Sequence, residues 1–158
     1  VIAATLRLAS VAATARIAAM QLALSKRGDY AVRAVFDLAR HADGGRRKAR
    51  EIAGATAVPP KFLPQILAAL VQSGLVKATA GRHGGYQLTR PAAEISLLQV
   101  ISAVEPTAPP RGCLLWGRPC SAEQVCAVHD AWSTAQEALN RQLEITKIGD
   151  LAQPVAAD

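Results

Sequence analysis

From Leu24 to His41 the chain reads LSKRGDYAVRAVFDLARH, with Tyr30, Val32, Ala34, Val35, Leu38 and Ala39 at mixed three- and four-residue spacings. That pattern is the apolar stripe of an amphipathic helix. The DGGRR run at 43–47 marks a turn, and residues 49–57, AREIAGATA, predict a second, short helix with Ile52 inward. A third helix is predicted within VPPKFLPQILAALVQSGLV, with Phe62, Leu63, Ile66, Leu67 and Leu70 on one face and Gly74 as its C-terminal stop. Pro59 and Pro60 suit an opening turn, whereas Pro64 in a helix interior would remove a hydrogen bond and clash with the preceding turn. The regular helix therefore either starts near Pro64, after a tight turn at 60–63, or is kinked there. Beyond Gly74 the run LVKATAGRHGGYQL alternates apolar and polar residues on both sides of a glycine-rich centre, which predicts a two-stranded hairpin with its loop at 81–85.

Three helices followed by a hairpin is the element order of a winged helix-turn-helix, with the third helix as reader and the hairpin as wing. Past Arg90 the pattern changes. ISLLQVISAV at 95–104 predicts a short apolar helix that packs under the first module, and EPTAPPRG is a proline-rich connection. Ser121 and Gln124 have the spacing of a capping box, which places the start of another helix at Ser121. Along it Val125, Val128, Trp132, Ala135, Leu139 and Leu143 step by three and four. So long a helix needs a surface to pack on, either its own domain or, as preferred here, the same helix of a second subunit. The expected fold is mainly α: a winged helix-turn-helix DNA-binding domain at 20–104 with a small two-stranded wing, a cysteine-bearing loop at 105–126, a long dimerisation helix at 121–146 and a tail at 147–158.

Composition agrees with helices. The 158 residues are 51% hydrophobic but 4% aromatic, so Ala, Leu, Val and Ile must supply the packing. The charge is divided: residues 20–92 hold 12 Lys/Arg against 4 Asp/Glu, while residues 93–158 hold 4 against 8. A basic half of this kind suits a polyanion. Residues 1–19 are Ala-rich and apolar, but Arg7 and Arg16 keep every uninterrupted apolar run below the roughly 20 residues of a membrane span. They do not have the layout of a signal peptide either. With Val1 as a start codon read literally, Met20 is the alternative start, and residues 1–19 are expected to be a disordered or artefactual extension.

All three cysteines lie in GCLLWGRPCSAEQVCAVHDAW, residues 112–132, where Cys113, Cys120, Cys126 and His129 are spaced C-x6-C-x5-C-x2-H. Three cysteines cannot all pair within one chain, and a reducing cytoplasm is the expected compartment. Core packing, zinc and an iron–sulfur cluster are the open readings, because thiolates are soft ligands that suit either metal site. Cys126 and His129 would converge from one helix face, with Cys113 and Cys120 supplied by the loop. A thiol enzyme with Cys126 activated by His129 is disfavoured, since no C-x-x-C pair accompanies it. The expectation is therefore a non-enzyme.

Six segments in order, SKRGDYAVRAVFDLA, PPKFLPQILAALVQSGLV, GRHGGYQLTRP, ISLLQVISAVE, the three-cysteine stretch and ITKIGDLA, resemble the IscR/NsrR family of cluster-binding winged-helix repressors. The likeness runs from about Met20 to Leu151. It implies a homodimer on double-stranded operator DNA, with a cluster controlling affinity in response to cluster supply, oxidants or nitric oxide. Lys61 and Gln65 stand near the start of the reader segment, where base edges are reached, and Arg82 and His83 at the wing tip, from which a minor groove is entered. In IscR-like relatives three cysteines and the histidine matching His129 hold a 2Fe-2S cluster. In NsrR-like relatives three cysteines hold a 4Fe-4S cluster with an Asp from the partner's first helix, and Asp29 falls at that position. The chain departs from the family twice: six residues rather than five separate Cys113 from Cys120, and Pro64 stands where relatives have Glu.

Overall fold

The computed structural model describes residues 24–105, 120 and 126–152. Helix α1 spans Lys26–Arg40, and its N-cap Ser25 accepts a hydrogen bond from the Gly28 N–H at 3.1 Å. Its inward face is Ala31, Ala34, Val35 and Leu38, all buried. Small side chains let other backbones approach closely, and α1 is touched by α2 (Ala49–Thr56), α3 (Leu63–Gln72), α4 (Leu97–Val104) and α6 (Ile148–Ala152). Ile52 from α2 and Leu63, Ile66, Leu67 and Leu70 from α3 complete the core on that side.

Pro64 resolves as a helix start rather than a kink. Residues 60–62 form a turn, with the Phe62 N–H on Pro59 O at 3.0 Å, and Pro64 occupies the first turn of α3, where no intrahelical N–H bond is lost. One expectation fails here. Phe62 is not on the buried face but 41% exposed, because it precedes the regular helix; its ring stacks on Tyr30 of α1 at 5.9 Å. The chain then turns through Gly74 into the antiparallel pair β1 (Val76–Thr79) and β2 (Gly85–Leu88), in the register Val76 to Leu88 and Thr79 to Gly85.

The fold closes through residues far apart in sequence. Ser96 is fully buried, caps α4 by accepting from the Gln99 N–H, and donates its hydroxyl to Glu144 Oε2 at 3.0 Å. Glu144 lies on α5 (His129–Ile145), and two backbone bonds follow: Leu97 N–H to Thr146 O at 2.9 Å and Ile148 N–H to Ile95 O at 2.9 Å. Residues 147–158, expected as a tail, therefore contain α6, with Ile148 0% exposed in the core. Gly149 permits this docking, since a Cβ there would come within 2.8 Å of the Ala93 backbone nitrogen. A five-residue segment shows too little periodicity to be read as a helix; its burial is conferred by the α4 start it pairs with.

The start of the long helix also differs from expectation. Residues 121–125 lie outside the described residues, but Cys126 is not helical and 127–128 form a turn, so α5 begins at His129 rather than running continuously from Ser121. Truncating Ile148 to Ala removes a fully buried branched side chain and should cost about 2–5 kcal/mol of stability in urea titration. Leu151→Ala, at a side chain 44% exposed, should cost well under half of that.

Candidate nucleic-acid interface and cysteine site

The first turn of α3 presents polar groups outward. Lys61, Pro64 and Gln65 are exposed while Leu63, Ile66 and Leu67 are buried, so the same turn that anchors the helix displays its polar edge. Lys61 Nζ sits 4.9 Å from the Phe62 ring centroid, and Phe62 stacks in turn on Tyr30. This stack places the ammonium through a cation–π contact and ties it to α1.

Arg82 and His83 are exposed in the β1–β2 loop. Lys48, Ala49, Ala78, Thr79, Arg82 and Tyr86 border one cleft, and Ala49, Arg50, Pro60 and Pro64 border the next. Ala49 lines both, so the start of α2 lies between the wing and the start of α3, with Lys48, Arg50 and Arg82 bordering the two clefts and Lys61 and Gln65 exposed at the start of α3. Lys48 and Arg50 escaped the sequence reading, although the basic run RRKAR at 46–50 was the signal that could have found them. Glu51, the acidic neighbour in this turn, is held below the usual carboxylate range by the Lys48 N–H that it accepts at 2.8 Å, with nearby Arg47 adding to the effect. It is thereby committed to closing α2's first turn. Exposed cations of this kind suit phosphates, and an exposed amide such as that of Gln65 is of the type that pairs with base edges.

The expected ligands are only partly within the described residues. Cys113 lies outside them, Cys120 is half-buried, and Cys126 is 8% exposed. Cys126 stands at the foot of α5 in a turn closed by the His129 N–H on Cys126 O at 3.0 Å. The two candidates are thus brought within one turn, not onto one helix face. Among the described residues no group of three or more potential metal ligands is assembled. Asp29 sits in the first turn of α1 and pairs with Arg33 at 2.8 Å, where its carboxylate raises the arginine's pKa chiefly through that hydrogen bond.

The helix that grows out of this turn has no buried residue along its length. Trp132 is 36% and Ile145 61% exposed, with Leu139 and Leu143 half-buried. At the C-terminal end of α4 the Ser25 hydroxyl, at the N-terminus of α1, donates to the Glu105 carboxylate, so the chain leaves α4 for the cysteine segment beside the first turn of α1. No helix among the described residues is long and apolar enough to cross a membrane.

Comparison with known proteins gives a consistent result. Residues 24–154 match the Rrf2 family profile, described as an iron-dependent transcriptional regulator. A helix-turn-helix-type transcriptional regulator of Mycobacterium tuberculosis strain H37Rv is 37% identical over 130 residues, covering 82% of this chain and 80% of the relative. The regulator IscR of Klebsiella pneumoniae strain 342 is 30% identical over 128 residues, covering 81% and 78%. Among solved structures, T. potens IscR superposes with a TM-score of 0.71 at 26% identity, covering 89% of this chain and 96% of that one.

On duplex DNA, Lys61→Ala should weaken binding uniformly across sequences and shallow the salt dependence by about one counterion. Gln65→Ala should cost about 1–3 kcal/mol and relax base preference at one position. Gln72→Ala, exposed at the far end of α3, should leave both unchanged; fluorescence anisotropy over a salt series reads all three.

Proposed function

This chain belongs to the Rrf2 family of transcriptional regulators, and from that premise we propose that it is a homodimeric cytoplasmic repressor whose hold on operator DNA is set by an iron–sulfur cluster at Cys113, Cys120 and Cys126. The observation that carries the reading is the position of Cys126: a buried thiol at the foot of a 17-residue helix that buries nothing of its own. A helix with Trp132 exposed, Leu139 and Leu143 only half-buried and no residue fully buried suits pairing with its copy across a twofold axis. That pairing would set the distance between two reader helices, and half-site spacing on the operator would follow from it.

The donor set fits the group. Two thiols and an imidazole lie within residues 120–129, with Cys113 on the same connection, and thiolate is the ligand such clusters use. His129 or the partner subunit's Asp29 completes the set. When bound, the cluster supplies iron–thiolate bonds that oxidants and nitric oxide attack. The chain does the rest: Cys126 holds the connection against the root of α5, and the far end of α5 is tied to α4 through Glu144, Ser96 and the 146–148 backbone pairing. A change at the cysteine segment therefore reaches the DNA-binding module through α5 as a lever. Lys61 and Gln65 contact the major groove, and Arg82 and His83 the adjacent minor groove, in this arrangement.

Anaerobically purified protein should be coloured and contain iron, and Cys126→Ser should abolish both the visible absorbance and the difference in DNA affinity between metal-loaded and chelator-treated protein. Of His129→Ala and Asp29→Ala, the one that bleaches the absorbance identifies the fourth ligand, and electron paramagnetic resonance of the reduced protein separates 2Fe-2S from 4Fe-4S. A colourless, zinc-containing protein that binds DNA equally with and without chelator would falsify the cluster reading and favour a regulator with a structural zinc.

A further inference from the structure

Asp37 is the one charged side chain that is buried among the described residues, at 6% exposure. It lies on the inner side of α1 and takes a two-point hydrogen bond from Arg47, Nε to Oδ2 at 3.0 Å and Nη2 to Oδ1 at 3.1 Å. Arg47 is itself the residue that joins the wing to the helices. Its backbone pairs with Tyr86 in both directions, Arg47 N–H to Tyr86 O at 2.9 Å and Tyr86 N–H to Arg47 O at 2.8 Å, which adds an isolated antiparallel rung beside β2. The approach is close: Gly85 has φ of +149°, and a Cβ there would lie 2.7 Å from Arg47 O. His41 Nδ1, 3.5 Å from Asp37 Oδ1, and Glu51 Oε2, 3.9 Å from Arg47 Nη1, complete the charged surroundings.

We infer that the Asp37–Arg47 pair is a positioning device for the wing, fixing where Arg82 and His83 stand relative to α3 and so how much the wing adds to DNA binding. The inference rests on the DNA-contact reading above. A buried carboxylate is expensive unless fully paired, and an apolar pair would often stabilise the fold as well. What the ion pair adds is a defined geometry, because a planar guanidinium meets a carboxylate side-on in one orientation. Arg82 stands four residues before Tyr86 in the turn at the wing tip, which is closed by the Gly84 N–H on Gly81 O, so a tilt at the Arg47–Tyr86 bridge carries the tip with it. A shift of about 1 Å at the tip is enough to break a hydrogen bond made there. Arg47 thus acts through the wing without having to touch DNA.

The test uses a duplex recovered from a random-sequence pool by the wild-type protein. Major-groove contacts are read by methylation protection of guanine N7, and minor-groove contacts by hydroxyl-radical footprinting. Arg47→Lys keeps the charge but not the two-point geometry. It should lose the flanking minor-groove protection, keep the major-groove protection and bind about tenfold more weakly, as Arg82→Ala does; combining the two should add nothing further. Thermal melts establish that each variant is folded. If Arg47→Lys unfolds, the neutral pair D37N/R47M, which leaves no unpaired charge, carries the same comparison. A folded Arg47→Lys that keeps the minor-groove footprint and its affinity overturns the inference while leaving the DNA-contact reading intact, provided Arg82→Ala still loses protection. Equal loss in both grooves also overturns it, because that is the signature of general destabilisation. An Arg82→Ala footprint identical to wild type removes both the wing reading and this inference.

Discussion

The close packing on α1 is the constraint on which the rest of the structure depends. Ala31 and Ala34 are completely covered, and only side chains that small allow α2, α3, α4 and α6 to reach one helix from several sides. Everything with a functional role is referred to this helix. α3 packs against it, and Phe62 at the N-cap of α3 stacks on its Tyr30; the wing is tied to its Asp37 through Arg47; the cysteine segment departs beside its N-cap. A larger residue at either alanine would push at least one of these apart, since close-packed interiors do not absorb added volume without backbone movement.

Polar bonds then give the assembly its fixed geometry. Three of them join points remote in sequence: Ser25 to Glu105, Arg47 to Asp37, and Ser96 to Glu144. Each sits where one element must hold a set angle to another, and each involves a carboxylate, so the bonds are charge-assisted and directional. The apolar core supplies most of the stability, but apolar contacts tolerate sliding. The carboxylate bonds select among the packings that the core alone would allow.

Charge and burial divide the chain between two tasks. Lys48, Arg50 and Arg82 border adjoining clefts that share Ala49, with Lys61 exposed at the start of α3, while the segment from Glu105 onward is acidic and carries the thiols. α5 connects the two, anchored at one end by Glu144 and the pairing of 146–148 with 95–97, and rooted at the other in the turn that holds Cys126. In the proposed lever the fixed end is the one beside the buried Ile148, whereas toward the cysteine turn Trp132 is exposed and Leu139 only half-buried.

Local periodicity was sufficient to read α1, α2, the wing and α4, because each is an amphipathic run bounded by turn residues. It also limited Pro64 to two outcomes, since a proline ring admits few helix positions. The chemistry of the cysteine stretch was legible as well, thiols and an imidazole being recognisable by type and spacing alone. What only the tertiary structure decided was partnership. Whether Phe62 is core or stacking platform depends on where Tyr30 lies. Whether residues 148–152 are tail or helix depends on the α4 backbone they pair with. Arg47 is one basic residue in a run of them until Asp37 and Tyr86 are seen on either side. Residue type and spacing are set within a few positions along the chain, whereas these outcomes are set by groups ten to fifty residues away, whose positions no local pattern encodes.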